Sequence, residues 1–144
     1  MELTDALDFA RTQKRGVLVT LKRDGLPQLS NIVYAVDDEG VFRISITADR
    51  AKFPNLSRNP WAALHVTQSD FFAYAVIEAD AEVSPVAADP HDDTVEELVE
   101  HYRAAMGEHE DWDDFRATMV NDRRAVVRLR PRRAYGMLAL PKEK

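Results

Sequence analysis

The chain has 144 residues, the length of one domain with enough chain to bury a core. It has no cysteine, which excludes disulfides, thiolate metal centres, iron–sulfur clusters and thiol nucleophiles. A net charge of -6 argues against general nucleic-acid binding, and no stretch approaches the roughly 18–20 apolar residues of a membrane span.

The opening residues, MELTDALDFARTQKRG, contain no apolar run of the signal-peptide kind, so the expected location is cytoplasmic. Residues 4–14 predict a short helix, with Thr4 or Asp5 as cap, Leu7 and Ala10 facing inward and Gly16 as stop. Strands follow at 17–22, 26–36 and 41–47. Turns at Arg23-Asp24-Gly25 and at residues 37–40 would join them into a meander. Residues 48–60 predict another short helix. Asp49 is its expected N-cap, and Pro54 is tolerated near the first turn. Strands at 61–67 and 71–87 come next. An amphipathic helix at 92–106 is capped by Asp92 or Asp93, stopped by Gly107, and carries Val95, Leu98, Val99, Tyr102 and Met106 on its apolar stripe. A short helix at 112–122 precedes a last strand at 124–138, with Ala125, Val127 and Leu129 on one side and Val126, Arg128, Arg130 and Arg132 on the other. The strands are mostly consecutive, without the intervening helices a parallel sheet needs. The fold class is therefore mainly β (α+β), a single split β-barrel domain over 1–144 with about six mostly antiparallel strands.

Charge is unevenly spread, acid over 78–114 and base over 123–133. An acidic chain with local basic patches suits a small anionic ligand. The glycines form neither GxGxxG nor a P-loop, and HExxH and GxSxG are absent. His91-Asp92-Asp93 and Glu108-His109-Glu110 read as solvated helix ends and loops, so no metal site is expected, and His65 reads as structural. The informative stretch is 45–56. Here a strand ending in Ser45, Ile46 and Thr47 runs into a helix start beside Arg50, Lys52 and Asn55. Hydroxyls, cations and helix-start N–H groups together suit a phosphate.

This stretch resembles the phosphate-binding segment of the pyridoxamine-phosphate-oxidase-like split-barrel superfamily. In the F420-binding branch the pattern is approximately S-x-x-x-x-R-A-K-x-x-N-L-x-R-x-P. Here it stands as Ser45, Arg50-Ala51-Lys52, Asn55-Leu56, Arg58 and Pro60, with Pro54 as a small departure. GVLVTLKRDGLPQLSNIVY (16–34) resembles that branch's first hairpin, and residues 92–127 resemble its helical insertion. The resemblance implies that Lys52 and Arg50 pair with a cofactor phosphate, that Ser45, Ile46 and Thr47 approach the phosphate or ribityl chain, and that Asn55 supports the same end. Gln28, Leu29, Ser30 and Asn31 would flank the ring, with Val19 and Thr20 behind it. A second subunit would close the cleft through Phe72 and Tyr74. The arginine stripe or Arg58 could receive the anionic F420 tail. The other reading of the stripe is pairing with the acidic helix.

The implied cofactor is coenzyme F420, with FMN as the alternative, held by a homodimer with its site at the interface. Trp61, Phe71 and Phe72 are the aromatic residues expected to bury across its two-fold axis. The implied activity is an F420H2-dependent reductase acting on an electron-poor small-molecule acceptor, a conjugated alkene or bilin-like compound. An FMN-dependent oxidase or reductase and a non-catalytic F420 carrier are the alternatives. No catalytic residue is assigned: Tyr74, His65 or water could protonate a product. Neither nucleic acid nor membrane is an expected partner.

Overall fold

The computed structural model describes residues 1–138. Gly25, at a φ of 84°, makes the turn that folds β1 (Arg15–Leu21) back onto β2 (Pro27–Val33), with Val17 opposite Asn31 and Thr20 opposite Gln28. A second hairpin joins β3 (Ala35–Val36) to β4 (Phe42–Thr47) through a turn in which Asp37 Oδ1 accepts the N–H groups of Glu39 and Val41. β5 (Trp61–Thr67), β6 (Tyr74–Val83) and β7 (Arg124–Met137) complete an antiparallel sheet of order β2-β1-β5-β6-β7-β4-β3.

That order forces curvature. β2 and β3 are separated in sequence only by Tyr34, yet they occupy opposite edges of the sheet, so the sheet curls round until its edges meet. The expected strand at 26–36 is thus two strands, giving seven among the described residues, and the expected meander is two hairpins at opposite edges. The break falls at Tyr34. Its ring is buried against Phe42, its hydroxyl donates to Ala10 O at 2.7 Å, and its N–H donates to Lys14 O as the last bond on the β1 side before the chain crosses to the other edge. β4 hydrogen-bonds β7 instead of β2. The seam between β2 and β4 is the split of the barrel.

Alternation along the strands fills the interior with Leu18, Ile32, Ile44, Ile46, Leu64, Val66, Ile77 and Leu129. α1 (Leu3–Arg11) lies across β6 and β7 and buries Ala6 and Ala10. Its N-cap is Glu2, which makes no side-chain cap bond, and not Thr4 or Asp5. Gly16 lies inside β1, where an added Cβ would stand 2.8 Å from the His65 carbonyl oxygen. α2 (Lys52–Arg58) has Ala51 at its N-cap instead of Asp49. β6 is shorter than the expected 71–87. Phe71 and Phe72 stand in the preceding turn, with Phe71 in the left-handed region at φ 75°.

α3 (Asp93–Met106) and α4 (Trp112–Asn121) start where the sequence pattern places them. Asp92 accepts the Val95 N–H and Asp111 the Asp114 N–H, and each satisfies a donor the first helical turn leaves open. Val95, Leu98, Val99, Phe115 and Met119 join Val126 in a second small core, while Met106 stays 64% exposed. α3 is anchored to the sheet by Glu97, which accepts Arg43 Nε at 2.8 Å and also pairs with Arg128. Among the described residues no helix is long and apolar enough to cross a membrane.

Burial pushes the Glu97 carboxyl up, but the bonds from Arg128 and Arg43 outweigh it and hold it below the usual range. Its contribution is therefore present at neutral pH and lost as pH falls through its folded-state value. Glu97→Gln is expected to cost about 2 kcal/mol in urea unfolding at pH 7. The deficit relative to the native chain should shrink as the pH is lowered.

Candidate functional site

The seam between β2 and β4 opens into a cavity of about 500 Å³. Pleating turns Ser45 and Thr47 outward from β4 while Ile46 points into the core, so Ile46 offers the cavity only its backbone. Ser30 and Asn31 approach from β2. Arg50 and Lys52 approach from the junction of β4 and α2. The register sets Thr47 opposite Arg124, which delivers a third cation from the start of β7. Arg124 Nη1 lies 3.3 Å from Ser45 Oγ.

Among the described residues no carboxylate lines this cavity, and Arg50, Lys52 and Arg124 form no ion pair. Burial, followed by repulsion from Arg50 and Arg124, lowers the Lys52 pKa. Buried polar atoms on the wall also lack partners among the described residues: Ser30 Oγ, Arg124 Nε and His101 Nδ1. Unpaired cations beside unsatisfied donors are what a phosphate-bearing ligand would complete, so these residues fit a cofactor phosphate. The cations do this more than the helix start does. α2 has only seven residues, and the N–H groups of Arg50 and Phe53 are already bonded to Thr47 O and Arg50 O.

The structure thus brings together Ser30, Asn31, Ser45, Ile46, Thr47, Arg50 and Lys52. Asn55, Thr20 and Gln28 lie outside the cavity and form a hydrogen-bonded chain behind it. Arg58 donates to Asn55 Oδ1 at 3.0 Å, Asn55 Nδ2 to Thr20 Oγ1 at 3.2 Å, and Thr20 Oγ1 to Gln28 Oε1 at 3.3 Å. The chain fastens α2 to the first hairpin and so positions the cations. Leu29 and Phe72 are exposed. Tyr74 sets its ring edge-on to His65 at 5.6 Å. His65 and Thr67 line a neighbouring cavity of about 430 Å³ that shares Asn31, Ile32 and Val33 with the cation site.

Arg124 and His101 join the site only through the fold. Arg124 belongs to a basic run whose register is invisible in one dimension. The spacing of Leu98, His101 and Ala105 does place His101 on the buried side of α3. The arginine stripe is engaged elsewhere: Arg128 with Glu97 and Glu82, Arg130 with Glu82 and Arg132 with Asp80, so β6 supplies most of its partners. Arg58 bonds Leu21 O as well as Asn55. His109 packs against Tyr102, Trp112 and Phe115 and accepts the Asp111 N–H. Among the described residues no group of three potential ligands surrounds a metal position.

A curled antiparallel sheet with a cationic pocket in its seam defines a split-barrel protein. The chain belongs to the pyridoxamine 5'-phosphate oxidase family, which it matches over residues 3–138. A conserved hypothetical protein of Mycobacterium tuberculosis shares the fold at a TM-score of 0.75 and 24% identity, covering 100% of this chain and 91% of that one. An F420 reductase is similar at 26% identity and a TM-score of 0.59, over 85% of this chain and 89% of that one. A heme-binding protein of Mycobacterium smegmatis aligns at 21% identity and 0.66, over 92% and 52% respectively.

Arg124→Ala is expected to weaken binding of inorganic phosphate about tenfold in calorimetric titration, by removing one charge-assisted contact. Burial first, then the charge of Arg43, lowers the His101 pKa from 6.5 to about 4. The unfolded chain therefore takes up a proton that the folded chain refuses between those values, and stability falls as pH drops from 6.5 to about 4. Thermal unfolding of His101→Gln across that interval should show a shallower decline than the native chain.

Proposed function

We propose that the chain is an F420H2-dependent reductase, with the cofactor phosphate on Arg50, Lys52 and Arg124 and the ring system over β2 beside residues 28–31. The observation that carries this reading is a set of three cations with no carboxylate among the described lining residues: Arg50 and Lys52 where β4 passes into α2, and Arg124 facing them from the start of β7. Its sequence pattern, Ser45 through Pro60, resembles the F420-binding branch, and the likeness to an F420 reductase at 26% identity agrees. When bound, reduced deazaflavin supplies a hydride and reacts poorly with oxygen. The chain's own residues would bind and orient: the cations fix one end, and the Arg58–Asn55–Thr20–Gln28 chain keeps the hairpin in register with it. The acceptor would be an electron-poor small molecule.

The cleft is completed in this reading by a second copy. Support comes from the outer sheet face, where Leu29 is 59% exposed and Val33, Tyr135 and Met137 also reach solvent, with Phe71 and Phe72 at the adjoining tip. An FMN-dependent oxidase or reductase is the second reading, because the cradle answers to a phosphate that both cofactors carry.

Titration of the full chain with F420 and with FMN, followed by fluorescence, tests the proposal alongside light scattering after gel filtration. The expected result is a dimer that binds F420 more tightly than FMN and reduces conjugated acceptors. Yellow protein that releases FMN on denaturation would favour the second reading. Tight F420 binding without turnover of any acceptor would make the chain a carrier. A stable monomer, or no binding of either cofactor up to high micromolar concentration, would overturn the proposal.

A further inference from the structure

A second chamber, of about 250 Å³, adjoins the cation cradle beneath the α3–α4 insertion. Val33, Ser45, His101 and Arg124 border both spaces. Past that boundary the wall is mostly hydrocarbon and aromatic, formed by Leu98, Tyr102, Ala105, Met106, Phe115 and Met119. An apolar cavity of about 150 Å³ already accommodates a benzene ring, so this one has room for a substituted ring. The boundary itself is polar and incomplete. His101 is more than nine-tenths buried, and among the described residues neither its Nδ1 nor Arg124 Nε has a partner. A ligand that satisfies both spaces carries an anion and, within a bond or two of it, an apolar group. A flavin does not meet that description, because a five-carbon chain separates its ring from its phosphate.

We propose that cradle and chamber together bind an aryl phosphomonoester, its phosphate on Arg124 and Ser45 and its ring beneath α3 and α4. Charge complementarity selects the head: Arg124 stands at the junction, Arg50 and Lys52 line the cradle beyond it, and among the described residues no carboxylate lines the cradle. Burial of the ring against Phe115, Met119 and Leu98 supplies affinity that inorganic phosphate cannot gain. Such a ligand shares Arg124 with the phosphate of a bound cofactor and therefore competes with it, yet its binding does not depend on which cofactor the protein uses.

The test compares phenyl phosphate with inorganic phosphate on the full chain by calorimetry. Phenyl phosphate is expected to bind roughly tenfold or more tightly than inorganic phosphate. With methionine methyl groups labelled, phenyl phosphate should shift Met119 and Met106, inorganic phosphate should shift neither, and Met1 and Met137 should stay still under both. Ala105→Phe, which fills the chamber, should abolish the advantage of the ring and leave inorganic phosphate affinity unchanged. The methyl readout on the native chain stands even if that variant fails to fold. Equal affinity for the two phosphates, or a tighter phenyl phosphate that leaves Met119 unmoved, would overturn the proposal.

Discussion

β2 and β4 do not pair, and the pocket exists because of it. One short stretch of chain, broken at Tyr34, must place β2 at one edge of the sheet and β3 at the other, so the sheet closes on itself with a seam. In a flat sheet Ser30 and Ser45 would be far apart. In the curled sheet they face each other across a gap. The N–H and C=O groups that a ladder would have covered leave room there for a ligand.

The distribution of charge follows from the same geometry. The arginines on β7 beyond the seam meet acids on β6 and α3, and each pairing helps fasten the insertion or the neighbouring strand. At the seam the register brings Arg124 to Arg50 and Lys52 with no acid among the lining residues, and like charges in a half-buried space repel. The fold tolerates that repulsion because the surrounding core is extensive. A bound dianion would turn it into attraction, which is the physical basis for reading the seam as a site.

Much of this was legible in the sequence. Gly25 and the β-branched run before it predict the first hairpin, and Asp92 with Gly107 bounds α3. The family pattern from Ser45 to Pro60 marks the segment that supplies Arg50 and Lys52. What stayed hidden depends on pairing at long range. Nothing local says that residues 26–36 divide at Tyr34, since the residues on either side pair with strands at opposite edges of the sheet and the Tyr34 hydroxyl reaches Ala10 on another element. Arg124 looks like its basic neighbours until the register with Thr47 separates it from them. Thr20, Gln28 and Asn55 are polar residues in site-like positions, but the structure bonds them to one another behind the cavity.

The claim that the seam cations hold the cofactor's anionic end is tested most directly by replacing Arg50 and Lys52 together with alanine. The measurement is the affinity of the folded double variant for F420 and for FMN at low and at high salt. The account predicts a loss of roughly a hundredfold or more at low salt, with a weaker salt dependence than in the native chain. Unchanged affinity for both cofactors in a variant that keeps its fold would contradict it and move the site elsewhere.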